Sequence, residues 1–440
     1  MHYYLSLLLS FLLLHHLYAQ NASQDKIQQL IDKEYGDLEN LYQRLHAHPE
    51  LSFAEEKTSA LLADKLRQIG FDVTENFGGH GVVAVLENGE GPTVLVRADM
   101  DALPIKEETG VPFASEITTT DDSGNEVPVM HACGHDIHMT VWTGTARVLH
   151  QLKNSWKGTL VFIAQPAEER SGGAKAMLAE GLFTKFPRPD YGLALHVNAA
   201  MATGKVGYCP GYAMANIDMV DITVKGKGGH GASPHTTIDP VVLASRIVLD
   251  LQTIVSREIS PLEPAVVTVG SIHGGTKGNV IPAEVKMELT LRSFSDEVHN
   301  QLLEKIKRIC NGVAMSAGVA EENYPVVTVR DEYTPSLYND PTLAARMAGV
   351  FANVLEEDNV VQLPPEMIGE DFGRYSRVDP PIPTLMFSLG TIPASKIEAA
   401  RKGSLDLPSL HSSKYIPEAA PSIKTGILTM TSAVMDLLNN

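Results

Sequence analysis

Four short apolar runs, each followed by side chains able to hold a metal ion, constrain this chain more than any other feature. They are Val94-Leu95-Val96 before Asp99, Leu160-Val161-Phe162-Ile163-Ala164 before Glu168, Leu193-Ala194-Leu195 before His196, and Thr384-Leu385-Met386-Phe387, well before His411. Apolar runs this short and unbroken suit strands covered on both faces. Helical spacing separates them: Ile27, Leu30, Ile31, Leu38, Leu41, Tyr42 and Leu45 recur every three to four residues, as do Leu61, Leu62, Leu66 and Ile69, and the segment after Cys133 reads as helix to about Leu152. Alternating strand and helix predict a layered α/β domain with a mixed sheet covered by helices. Open sheets of this kind place ligands beyond the carboxyl ends of their strands, which is where the donors fall.

The texture changes near Asn216. Ile217 to Val224 alternates like a half-exposed strand, a glycine-rich turn follows, and Asp239 to Ser256 reads as one amphipathic helix. Ala265 to Val269 and Glu284 to Leu291 alternate as strands, Ser295 to Ala317 reads as helix, and Val326 to Val329 closes the set. Strand, helix, two strands, helix and strand make a ferredoxin-like α+β unit. The expected organisation is therefore a leader over 1–19, a metal-binding domain over 20–215 and 332–440, and a smaller unit inserted at 216–331. A chain of 440 residues exceeds what one core usually serves, which agrees with two domains.

A formal net charge of −18 with no basic stripe excludes nucleic acid and anionic membrane surfaces as expected partners. Residues Met1 to Ala19 carry no Asp, Glu, Lys or Arg and contain Leu5 to Leu14, so they read as a secretory signal cleaved near Ala19, with an uncleaved membrane anchor as the alternative. The expectation is a secreted or periplasmic protein, off the membrane once the leader is removed. Asn21-Ala22-Ser23 fits the glycosylation acceptor pattern. Three cysteines cannot all pair; metal ligation accounts for Cys133, and Cys209 and Cys310 read as buried small residues, with a bridge between them as the alternative.

Cys133 and His135, in Met130-His131-Ala132-Cys133-Gly134-His135-Asp136-Ile137-His138, are two donors at a spacing too common to identify a site. Glu168-Glu169 alone reads as a solvated charged turn, and each histidine alone as a hydrogen-bonded core or surface residue; His138, His150 and His299 are read that way. With Cys133, His135, His196 and His411 all available, a divalent metal site is the better explanation of the acidic pair. One Glu can hold metal while its neighbour takes a proton from water whose pKa a cation has lowered. Five candidate ligands exceed the needs of one tetrahedral ion with an open position. Two ions about 3.5 Å apart, sharing a bridging water or thiolate, fit the count.

These residues also carry a resemblance. Arg97-Ala98-Asp99-Met100-Asp101-Ala102-Leu103-Pro104, His131 to Asp136, Gln165 to Glu169, Leu195-His196-Val197, Gly229 to His235, Gly278 to Pro282 and Gly369-Glu370-Asp371-Phe372 together resemble the M20 metallopeptidase family. The branch they resemble is that of the amidohydrolases, which includes hippurate hydrolases, N-acyl-amino-acid deacylases and auxin-conjugate hydrolases. The resemblance implies a dinuclear site with Cys133, His135, Glu169, His196 and His411 as ligands. It implies Glu168 as general base and then proton donor to the leaving amine. Asp99 and Asp101 are expected to orient ligands, since Asp99-Met100-Asp101 replaces the His-x-Asp of many relatives. It implies that His230, in the inserted lid or dimerisation domain, steadies the oxyanion, often in the partner subunit's site. It likewise implies that Asn279 and Arg292 hold the substrate's carbonyl or carboxylate, with a surface strand charge as the alternative reading of Arg292. The expected substrate is a small N-acyl amino acid, and the resemblance admits a homodimer through the inserted domain. Thiolate and imidazole favour zinc, while the resemblance also admits manganese, cobalt or nickel. The alternatives are a dipeptidase or carboxypeptidase on the same scaffold and an exported metal- and ligand-binding protein without catalysis. An intact Glu168-Glu169 pair argues against the last.

Overall fold

The computed structural model describes residues 2–331 and 333–439, with side chains from Gln24 onward. The expected leader and the acceptor Asn21 thus lie outside the described side chains. The chain forms two compact units, one of Met1–Gly211, Asn339–Leu363 and Tyr375–Asn440, the other of Tyr212–Tyr338 and Pro364–Arg374.

The larger unit is built on an eight-stranded mixed sheet. Its centre is four parallel strands in the order Thr159–Gln165, Thr93–Asp99, Tyr191–Ala202 and Thr384–Ile392. Antiparallel neighbours join at each side, Val82–Glu87 along Thr159–Gln165 and Val206–Tyr208 along Thr384–Ile392. Every residue of Thr93–Asp99 and Thr159–Gln165 after the first is buried, which is why these runs are apolar without alternation.

Helices cover the sheet. Ile31, Leu38, Tyr42 and Leu45 of helix His2–Ala47, Leu62 and Leu66 of helix Glu56–Ile69, and Ile423, Ile427 and Met430 of helix Ala419–Leu438 enter one core. Each such side chain contributes about 1.5–3 kcal/mol through burial. Helix His135–Gln151 approaches helix Ala419–Leu438 closely at Gly144, where a Cβ would lie 2.3 Å from Cδ1 of Ile427. Among the described residues no helix is long and apolar enough to cross a membrane.

The smaller unit has the antiparallel strand order Ala265–Gly274, Glu284–Ser293, Asn216–Lys225, Val326–Val329. Helices Pro240–Thr253 and Asp296–Ser316 pack on this sheet, giving the strand-helix-strand-strand-helix-strand order of a ferredoxin-like unit. Both helices start at side-chain caps: Asp239 accepts the Val241 N–H and Ser295 accepts the Val298 N–H. The strands bury alternate residues, among them Val220, Ile222 and Val224 facing Val285, Met287 and Leu289.

Two expectations need correction. The first helix of this unit does not run on to Ser256; it passes after Thr253 into a single π turn, Ile254–Glu258, which keeps Ile254 fully buried. The unit also extends beyond 216–331, because Pro364–Arg374 returns to it. Ala215 N–H donates to the carbonyls of Glu366 and Ile368, Arg292 reaches the carbonyl of Met367, and Gly369 sits so close to Ile217 that a Cβ would meet Cδ1 at 2.1 Å. Among the described residues no disulfide forms; Cys310 is buried as expected, while Cys209 is only partly so.

Candidate metal centre

The donors of the larger unit gather at the carboxyl edge of its parallel strands. Strand Thr93–Asp99 delivers Asp99 and, two residues on, Asp101, while His196 lies within strand Tyr191–Ala202 opposite Ser388. Cys133 and His135 flank Gly134 at the start of helix His135–Gln151. Gly134 has φ 76°, and a Cβ there would lie 2.7 Å from Cγ2 of Val197, so the turn that sets these two donors admits only glycine. After strand Thr159–Gln165 the chain turns sharply through Ala167 and Ser171, non-glycine residues at φ 50° and 52°, presenting Glu168 and Glu169. His411, also left-handed at φ 64°, is tied by its N–H to the Ala132 carbonyl at 2.9 Å, one residue from Cys133.

Backbone contacts fix which nitrogen of each histidine faces the centre. A carbonyl can only accept, so Nδ1–H of His135 donates to Asp101 O at 2.8 Å and Nδ1–H of His196 donates to Val197 O at 2.8 Å. In their neutral form both rings therefore turn an Nε2 lone pair inward, the preparation expected of metal-ligating histidines. His196 Nε2 lies 3.6 Å from Cys133 Sγ. His135 Nε2 is buried and makes no hydrogen bond, although Asp99 Oδ2, Glu169 Oε1 and Glu168 Oε2 stand 3.8, 3.9 and 4.0 Å away. His411 Nε2 stands 3.4 Å from Glu169 Oε1.

Ligand atoms within 4.8 Å of one another form the groups Cys133, His135, His196 and Cys133, Glu169, His411, with Glu168 joining His135 and Glu169 in a third. A buried nitrogen without a partner, ringed by carboxylates, fits a cation, and the mixture of S, N and O donors suits zinc and its neighbours. All five expected ligands and Glu168 are thus brought together, with Cys133 common to two groups.

The electrostatics describe protein groups whose charges lean on one another. Burial pushes the Cys133 thiol well up, and the charges of Glu169, Glu168 and Asp99 push the same way. Burial disfavours charge on His135, but Asp99, the contact with Asp101 and the charge of Glu169 outweigh it and raise the ring to about 10. A bound cation reverses this logic by favouring thiolate and neutral imidazole.

Residues 95–412 match the model of peptidase family M20/M25/M40. The chain belongs to this family. It is 36% identical over 80% of its length to the N-acetylcysteine deacetylase of Bacillus subtilis, covering 88% of that protein. It is 35% identical over 79% of its length to thermostable carboxypeptidase 2 of Saccharolobus solfataricus, covering 84% of that protein. A solved structure from Bacillus subtilis, described as a dinuclear metal binding peptidase from the M20 family, superposes with a TM-score of 0.75 at 29% identity, covering 92% of this chain and 99% of that one. This M20 protein is accordingly a metal-dependent hydrolase of amide bonds.

Asp101 supports the M20 centre at two points: its carbonyl accepts from His135, and its Oδ2 accepts the Glu169 N–H at 2.9 Å and the Ser52 hydroxyl at 2.6 Å. Asp99 acts at one remove. Its Oδ2 pairs with Arg97 at 2.5 Å, and its Oδ1 accepts Nδ1–H of His138 at 2.5 Å, whose Nε2 in turn accepts the Val197 N–H at 2.9 Å. Asp99 thereby steadies the strand position next to His196. His138 is a hydrogen-bonded core histidine, as read from sequence, yet it is part of this support; its place three residues after His135 on one helix was the available signal. With both nitrogens engaged it has no lone pair for an ion. Burial holds its ring near 4.

The remaining candidates lie in the smaller unit. Gly229–His230 forms a short strand paired with Val280–Ile281, and the Gly231 N–H donates to the Asn279 carbonyl at 2.9 Å, so His230 and Asn279 are held together, both exposed. Arg292 is partly buried in strand Glu284–Ser293.

Proposed function

We propose that this chain removes the acyl group from small N-acyl amino acids by hydrolysis of the amide, using two divalent ions held by Cys133, His135, Glu169, His196 and His411. The carrying observation is the paired turn: Glu169 belongs to a donor group with Cys133 and His411, while Glu168, its neighbour in the chain, stands within reach of the same centre. When bound, the ions lower the pKa of water and polarise the carbonyl oxygen. Glu168 takes the proton from the attacking water and delivers it to the departing nitrogen. His230 Nδ1 accepts the Ala232 N–H at 3.0 Å, so its neutral ring carries its proton on Nε2, the form that can donate to a carbonyl oxygen gaining charge. Asn279 and Arg292 are assigned to the substrate's carbonyl and carboxylate.

Further parts of this reading are zinc or manganese as the native metal, export with loss of the leader over 1–19, and a homodimer through the smaller unit. Val241, Val242 and Leu249, exposed on helix Pro240–Thr253 beside the edge strand Ala265–Gly274, support the homodimer.

The test is amine release by protein stripped of metal and reconstituted with zinc or manganese, against N-acetyl, N-benzoyl and indole-acetyl amino acids and dipeptides. Metal-dependent release from the acyl amino acids is expected. The carboxypeptidase among the similar proteins favours a second reading, peptide hydrolysis, and release from dipeptides alone would establish it in place of the first.

A further inference from the structure

Glu168 and Glu169 sit on a turn that the backbone does not adopt readily. Ala167 and Ser171 are left-handed without being glycine, a conformation costing on the order of 1–3 kcal/mol per residue unless the surroundings impose it. The turn closes on itself: Ser171 N–H donates to Glu168 O at 2.6 Å, and the Gly172 and Gly173 amides converge on Ala167 O at 3.1 and 3.2 Å. These bonds compact the turn without aiming it.

What aims it comes from a segment more than a hundred residues earlier. Glu55, fully buried at 0% exposure, accepts the Ala167 N–H on Oε1 at 2.7 Å, across 112 positions of sequence. Ser52 donates to Asp101, which accepts the Glu169 N–H. Phe53, between them, packs its ring where a side chain on Gly172 would be, 2.6 Å from a Cβ there, and lies under the Arg170 guanidinium at 5.7 Å. The amides immediately before and after Glu168 are thus both held from Ser52–Glu55, one directly and one through Asp101.

We propose that Glu55 is a positioning residue for the reaction, fixing the Glu168-Glu169 turn through the Ala167 amide; this rests on the reading that Glu168 moves the proton and Glu169 holds metal. A buried carboxyl group is costly, and the second oxygen of Glu55 makes no hydrogen bond, so packing alone would be served better by an apolar side chain. Burial, with the charge of Asp101 adding to it, pushes the Glu55 carboxyl up to about 8, so at neutral pH glutamine mimics the form present. The acceptor oxygen is what the turn uses.

Three variants separate this role from a purely structural one. Glu55→Gln keeps an acceptor at the same reach, Glu55→Asp keeps the carboxyl but is one methylene short, and Glu55→Ala removes both. Each is compared with the wild type in kcat and KM, in metal retained after dialysis, and in hydrogen exchange of the peptide containing Ala167. Glu55→Asp and Glu55→Ala should lose about 10–100-fold in kcat or metal affinity with KM within about twofold, and should expose the Ala167 amide to exchange, while Glu55→Gln stays within about threefold. If Glu55→Ala fails to fold, the contrast between Glu55→Asp and Glu55→Gln decides. Wild-type exchange and kcat in Glu55→Asp, or a Glu55→Gln as impaired as Glu55→Asp, would overturn the proposal. A wild type that hydrolyses no amide would sink the functional reading alone, because the exchange and metal measurements still report whether Glu55 holds the turn.

Discussion

The two units bury different kinds of polar group. In the smaller one, the strands bury Val220, Ile222, Val224, Met287 and Leu289, and Asn216 is matched with Ser293 and Asp218 with His299, while the small buried hydroxyls of Thr334 and Ser336 make no hydrogen bond. In the larger one, Asp99, Asp101, His135, Asp136 and Glu168 are all buried beside one another, and His135 Nε2, Glu55 Oε2 and both nitrogens of His131 make no hydrogen bond. Unmatched buried polar atoms cost free energy that packing could have avoided. The gathering of buried ionisable groups at one sheet edge marks where function, rather than stability, chose the residues.

That contrast can be broken most sharply at Glu168. Glu168→Ala should lower kcat by about 10²–10⁴-fold with metal content unchanged, read by amine release alongside elemental analysis. A near-normal rate would remove Glu168 from proton transfer. Next in size, Cys133→Ala should weaken metal retention by at least the roughly 10–100-fold that loss of an outer partner costs. Unchanged metal after dialysis would show that the thiol is no ligand.

In the smaller unit the reverse pattern is expected. Leu289→Ala should cost about 2–5 kcal/mol in denaturant unfolding, as emptied core sites do, while the metal content of the folded protein stays constant. Loss of metal at unchanged stability would contradict the division between the units.

The smallest effect sits at His46, whose ring nitrogens lie 2.6 Å from Asp136 and 3.0 Å from Glu107. Burial opposes its charge, but the two carboxylates prevail and raise it from the usual 6.5 to about 9. A group raised on folding stabilises fully below its unfolded value and loses that contribution as pH climbs through the folded one. The stability difference between wild type and His46→Gln should therefore be largest near pH 6 and shrink, by on the order of 1–3 kcal/mol, between about 6.5 and 9. A difference that is flat with pH would show that His46 is neutral between its partners.

How much of this the sequence disclosed depends on the kind of signal. Buried strands are legible because both faces exclude polar residues, and the smaller unit is legible because its sheet covers one face and so alternates. Glu169 and His196 were legible because each closely follows such a run, while Cys133, His135 and His411 were legible only through the company of the other donors and the family resemblance. Glu55 was not, since its partner is a backbone amide, which leaves no mark on residue choice 112 positions away. The return of Pro364–Arg374 was hidden for the same reason, being held largely by main-chain hydrogen bonds from Ala215. The helix end at Thr253 was missed because Ile254 continues the apolar rhythm while the backbone changes its winding.

The return of Pro364–Arg374 also has a consequence for synthesis. As the chain leaves the ribosome, the smaller unit lacks a segment until residue 374 has emerged, and the larger one lacks helix Ala419–Leu438, with its many core side chains, until residue 438 has emerged. Neither unit is a continuous stretch that could be excised whole as a fragment, and a translation product stopped anywhere before the final helix exposes the apolar surface that helix would have covered.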